Sequence, residues 1–147
     1  MNLNAWTTEC CINCYVYFWV MEKKFLFWGF IFGGLAVIIG AFGAHALKEI
    51  LTESQQVSFE TGIRYQMYHA FLLLFLSTQP KISSRLLLNL IVTGILLFSV
   101  SIYLLNLRDY LGADWLSFLG PITPIGGLLL IAAWFIAAFK TIQKKVN

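Results

Sequence analysis

Three stretches of the chain run apolar for long distances without a formal charge: Phe25–Leu47, Leu86–Leu107 and Trp115–Phe139. A helix rises about 1.5 Å per residue and the hydrocarbon core of a bilayer is about 30 Å thick, so roughly 20 apolar residues make one crossing. A fourth stretch, Tyr65–Gln79, is shorter and is stopped by Pro80. The pattern predicts an all-α, polytopic membrane protein, a bundle of four transmembrane helices with spans of about 25–47, 62–79, 86–107 and 119–139. Only fifteen residues separate Arg64 from Pro80, about 22 Å of helix. The residues before them carry helix-start chemistry, however. Thr52 or Ser54 can cap, Gln55 follows Thr52 at the capping-box spacing, and Glu60 and Arg64 are spaced i, i+4. One long helix from about Ser54 to Thr78 is the economical reading, its outer part polar.

Composition agrees with a membrane class. Hydrophobic residues make up 59% of the 147 and charged residues 12%, with a mean hydropathy of +0.77; ordinary globular domains sit near about 45–50% and 25%. The net charge of +3 gathers at segment ends, which is a topology signal and not a nucleic-acid footprint. With four spans, Lys23, Lys24, Lys81, Arg85, Lys140, Lys144 and Lys145 share one side. Lys48, Arg64 and Arg108 lie on the other, among Glu49, Glu53, Glu60, Asp109 and Asp114. The positive-inside rule then puts both termini in the cytoplasm of a bacterial inner membrane. Trp28, Tyr65, Tyr68, Tyr110 and Trp115 suit interfacial belts.

Residues 1–20 read as a non-native or disordered extension to a membrane domain over 21–147. Met1–Val20 lacks a basic n-region and a small-residue cleavage site, while Met21-Glu22-Lys23-Lys24 resembles a natural start. Its three cysteines, Cys10, Cys11 and Cys14, have no fourth ligand nearby, so no metal site is expected.

Packing is legible in the small residues. Gly29, Gly33, Ala36, Gly40, Gly43 and Ala44 fall on one side of span one, and Gly126 and Gly127 give span four a small surface. Such smooth stripes let backbones approach in lipid, and they predict that spans one and four are close neighbours.

The candidate polar site sits at the outer face. At about 100° per residue, Arg64, Tyr68 and Tyr65 share one side of the second helix, with Glu60 and His69 at its edges. Ionisable groups inside a membrane are costly and tend to be paired or functional; the plainer reading is an Arg64 that snorkels beside Glu60. His45 closes span one on the same face. Gly120, Pro121 and Pro124 open span four there, with Pro121 suited to a first helical position and free N–H groups favouring an anion. An anionic headgroup or small acid held by Arg64 and this helix start is the expected ligand chemistry.

Gly40-Ala-Phe-Gly-Ala-His-Ala-Leu-Lys48, Phe59-Glu-Thr-Gly-Ile-Arg-Tyr-Gln-Met-Tyr-His-Ala70 and Gly120-Pro-Ile-Thr-Pro-Ile-Gly-Gly127 resemble the domain-of-unknown-function 423 family of small bacterial membrane proteins, which has a related eukaryotic branch. Leu97-Phe98-Ser99 and Ser101-Ile102-Tyr103 match more loosely, and Val100 and Ala133 stand where the family is expected to carry glycine. The resemblance covers Met21 to about Lys145 and implies a four-span integral membrane protein; it brings no activity with it.

Three functional classes follow. The first is a non-enzymatic protein that packs against lipid, a protein partner or further copies of itself, with no cofactor. The second is a small permease or ion pathway through His45, Glu60, Arg64 and His69. The third is a haem protein ligated by His45 and His69. No nucleophile elbow and no carboxylate pair spaced for acid–base work favours an enzyme.

Overall fold

The computed structural model describes residues 3–142, with side chains from Trp19 onward. The side chains of Cys10, Cys11 and Cys14 lie outside the described residues, as do Met1, Asn2, Lys144 and Lys145, while the backbone of residues 3–20, expected as an extension, is helical and part of the first helix. Helix α1 is Leu3–His45, α2 Glu53–Ser77 and α3 Arg85–Ile95, followed by a π-helical turn Leu96–Val100. Helix α4 is Ser101–Leu111, a 3-10 turn occupies Asp114–Leu119, and α5 is Ile122–Ile142. Helix α3, the π turn and α4 make one rod, so the described residues form four rods.

Three of them are long and apolar enough to cross a membrane: Trp19–His45, Arg85–Leu111 and Asp114–Ile142. At 25 residues, or about 37 Å, α2 has the length, but its first half carries the polar residues. Their outward faces are apolar: Phe30, Phe42, Leu128 and Phe135 are all exposed, a pattern that suits lipid and not water.

The ends are set by local chemistry. Thr52 caps α2, accepting from the Gln55 N–H while Gln55 Oε1 accepts from the Thr52 N–H at 2.9 Å, so both arms of the capping box are made. Ser84 caps α3. Gly112 ends α4 in the left-handed region at φ 58°, where a Cβ would be strained. Pro121 directly precedes the first residue of α5.

The small-residue stripe of α1 faces α2. A Cβ on Gly29 would meet Leu74 and the Ala70 carbonyl; one on Gly33 meets Ala70, one on Gly40 Ile63, and one on Gly43 Phe59. The pairing runs antiparallel along α1, with Ala36 buried between and Ala44 exposed. Gly126 presses on the rod instead. A Cβ there would lie 2.4 Å from the Phe98 nitrogen, and Gly127 faces the Phe98 ring. Among the described residues the backbones of α1 and α5 do not come together: α1 packs on α2, and α5 on α3 and the π turn. The expectation that spans one and four are neighbours is therefore wrong. Each stripe serves the span next to it in sequence, because a short connection brings that partner alongside first.

The main core joins Met21, Phe25 and Phe32 of α1 to Leu73 and Leu76 of α2, Leu87, Ile91 and Ile95 of α3, and Leu130 and Ala133 of α5. Ala133 is fully buried, so the methyl group that replaces the glycine expected there is packed. A smaller cluster of Leu51, Phe59 and Tyr103 closes the other end.

Candidate functional site

Helix α2 is the element on which the polar chemistry collects. Glu60, Arg64, Tyr65, Gln66, Tyr68 and His69 are spread around it at about 100° per residue, so one helix serves several faces at once. Arg64 Nη2 donates to Glu60 Oε2 at 2.7 Å, with the two side chains 59% and 61% exposed. Beside them a cavity of about 380 Å³ opens between the end of α1 and the first half of α2. Gly40, Gly43 and Ala44 form one wall, Phe59 and Ile63 another, and Lys48, Gln56, Glu60 and Arg64 its rim. The rim supplies two cations and one carboxylate. Gln56 Nε2 donates to the Lys48 and Leu51 carbonyls, both at 2.9 Å, and so ties the loop after α1 to the cavity edge.

His69 belongs to a different environment. It is buried, and Trp134 Nε1 of α5 donates to its Nε2 at 3.1 Å. An indole N–H can only donate, so Nε2 is the acceptor and Nδ1 carries the proton, which it gives to the Tyr65 carbonyl at 2.7 Å. Both ring nitrogens are therefore engaged, and none is left for a haem iron. Tyr65 lies over His69 and against Phe98, at centroid distances of 6.2 and 5.0 Å.

The nine candidate residues do not converge on one site. Glu60 and Arg64 share the α1–α2 cavity. His45 is exposed at the end of α1 and does not line it. Tyr68 lines an apolar groove between α2 and α5. Gly120 and Pro124 line a third cleft, with α2 and α4, and Pro121 is exposed beside it. The helical wheel placed each residue on its helix, but the distance between the end of α1 and the start of α5 is invisible to it.

A buried polar seam was missed. Tyr103 Oη donates to Gln66 Oε1 at 3.0 Å and Gln66 Nε2 donates to the Phe32 carbonyl at 2.9 Å, joining three rods. Ser99 donates to the Gly62 carbonyl, Ser101 pairs with Thr123, and Asn106 donates to Ser58. Among the described residues no buried side-chain nitrogen or oxygen lacks a partner, as lipid demands. The spacing of Ser99, Tyr103 and Asn106 on one face of an otherwise apolar rod is the signal that could have found it. No group of three or more metal-binding side chains occurs among the described residues.

The comparisons with known proteins agree with this architecture. The family model described as "Protein of unknown function (DUF423)" matches residues 39–127. The chain is 36% identical over 126 residues to the UPF0382 membrane protein YwdK of Bacillus subtilis, covering 82% of this chain and 98% of that one. It is 35% identical over 127 residues to a UPF0382 membrane protein of Staphylococcus haemolyticus, covering 82% and 97%. It is 33% identical over 128 residues to one of Haemophilus influenzae, covering 85% and 98%. No solved structure matches it. The matched segment runs from the end of α1 through the start of α5 and holds the α1–α2 cavity and the polar seam apart from its Phe32 end. With helices long and apolar enough to cross a bilayer and membrane proteins for relatives along nearly their whole length, the chain belongs to the DUF423 (UPF0382) family of bacterial membrane proteins.

Proposed function

We propose that the protein is a four-span inner-membrane protein with both termini in the cytoplasm, not an enzyme, which holds the headgroup of an anionic lipid in the α1–α2 cavity. The observation that carries the lipid reading is the cavity itself. Lys48 and Arg64 stand at the rim of a space walled by Gly40 and Gly43, so a phosphate can meet two cations there while its acyl chains lie against the exposed apolar face of α1 at Ile38 and Phe42. Arg64 gives one nitrogen to Glu60, and its planar fork has donors to spare for a phosphate.

The antiparallel pairing of α1 with α2 from Gly43–Phe59 to Gly29–Leu74 supports a full crossing by α2. Lys140 Nζ reaches the Ile82 carbonyl at 3.2 Å, which brings the end of α5 to the basic loop between α2 and α3. A basic end of this kind favours the cytoplasm. The permease reading has less support, because Glu60 and Arg64 lie outside the bundle while His69 is closed in by Tyr65 and Trp134.

The test is lipid retention. Native mass spectrometry of the protein taken from phosphatidylglycerol and phosphatidylcholine vesicles should show bound phosphatidylglycerol that Gly40→Leu and Arg64→Gln each remove. Equal retention of both lipids by the parent and the two variants contradicts the reading.

A further inference from the structure

On another face of α2 a cleft of about 600 Å³ opens between α2, α4 and the start of α5. It extends from Arg108 and Asp109 to Phe98 in the π turn, ten residues along the rod, or about 15 Å at the helical rise. Phe98 stands at the middle of Arg85–Leu111, a depth at which exposed polar groups are normally excluded.

The chemistry of the wall is specific. Its two formal charges neutralise each other: Arg108 donates to Asp109 Oδ1 at 2.9 and 3.1 Å, and Gln55 holds Asp109 Oδ2 at 3.2 Å. Deeper down, Asn106 donates both amide hydrogens, to Ser58 Oγ at 3.1 Å and to the Ile102 carbonyl at 2.7 Å. That carbonyl can only accept, which fixes the orientation of the amide and leaves Asn106 Oδ1 with no protein donor among the described residues. No buried side-chain oxygen there lacks a partner, so Oδ1 opens into the cleft. Ser58 accepts from Asn106, and its own O–H has no protein acceptor. A free acceptor and a free donor thus sit side by side above the apolar floor of Phe98, Ile102 and Leu105.

We propose that this cleft is a water-filled binding site for a small uncharged molecule carrying neighbouring hydrogen-bond donor and acceptor groups, an amide or a polyol, drawn from the water phase at the Arg108 end. An amide matches Asn106 Oδ1 with its N–H and Ser58 with its carbonyl. Arg108 and Asp109 beside the free groups make a pair of no net charge, so an ion entering the cleft gains no net attraction to offset the loss of its hydration. The site is independent of the lipid cavity; only the side from which the solute enters rests on the topology proposed above.

The experiment uses the full chain with Cys10→Ser, Cys11→Ser and Cys14→Ser, carrying Leu105→Cys in the cleft wall or Leu128→Cys on the exposed face of α5. A membrane-impermeant thiol reagent is added to right-side-out spheroplasts and, separately, to inverted vesicles. Leu105→Cys should label and Leu128→Cys should not. Acetamide or erythritol should slow the labelling several-fold, while acetate and methylammonium should not. Adding Asn106→Leu should abolish the protection while labelling persists. Labelling of Leu105→Cys only from inverted vesicles would overturn the proposed topology and leave the site standing. A Leu105→Cys that labels no faster than Leu128→Cys, or that acetamide and erythritol fail to protect, overturns the site.

Discussion

At the scale of single residues, the glycines divide by what surrounds them. Gly126 has the backbone of Leu97 and Phe98 against it, within 2.7 Å of where a Cβ would sit, whereas Gly34 has nothing within 4 Å. Gly126→Ala forces backbone to move, and overpacking of this kind costs about 1–3 kcal/mol. Gly34→Ala should be neutral or stabilise by up to about 1 kcal/mol, the helix propensity gain. Unfolding in one detergent compares them, and equal stability of the two variants would mean that Gly126 does not sit against the rod.

The seam gives a second prediction. Tyr103→Phe leaves Gln66 Oε1 without its donor and should cost about 1 kcal/mol, the usual range for interhelical hydrogen bonds in lipid. Adding Gln66→Leu should cost less than the sum of the single changes, since the two side chains share one interaction. Strict additivity would break the seam as an account. The Glu60–Arg64 pair behaves differently. At about 60% exposure it is worth no more than about 0.5 kcal/mol, so Arg64→Lys should leave melting in neutral detergent unchanged while reducing stabilisation by phosphatidylglycerol. An equal response to both lipids would reduce Arg64 to a snorkelling cation.

At the scale of elements, the third rod holds what pattern reading could not reach. The π turn Leu96–Val100 adds one residue inside the apolar run Arg85–Leu111, so no periodicity marks the insertion. Its consequence is rotational. Downstream of the turn, Tyr103 and Asn106 face Gln66 and Ser58; deleting one residue from Leu96–Val100 would turn them by about 100°. The deletion should therefore cost more stability than deleting a residue from the loop at Lys81, measured by thermal unfolding. Comparable losses would mean that the register of α4 is not set by the turn.

What was legible follows the same division. The capping box of Thr52 and Gln55 is local chemistry and was readable, as was the length of α2. The glycine stripe of α1 announced a close neighbour but not its identity, because a smooth face accepts any backbone. Trp134 as partner of His69 lies 65 residues away in sequence, beyond any local signal.

At the scale of the whole molecule, α2 decides the architecture. It is the least apolar rod, yet it lies along α1 and contacts α3, the π turn and α4. If α2 crosses, the basic residues at Lys23, Lys81 and Lys140 share one side of the membrane. If it does not, Lys81 joins Ser54 on the outside and the carboxyl terminus emerges there too. Paired reporter fusions at Ser54, Lys81 and the carboxyl terminus, one reporter active only outside and one only in the cytoplasm, separate these arrangements in a single experiment. The account predicts an outside signal at Ser54 and cytoplasmic signals at Lys81 and the carboxyl terminus. A cytoplasmic signal at Ser54, or an outside signal at Lys81, would contradict it.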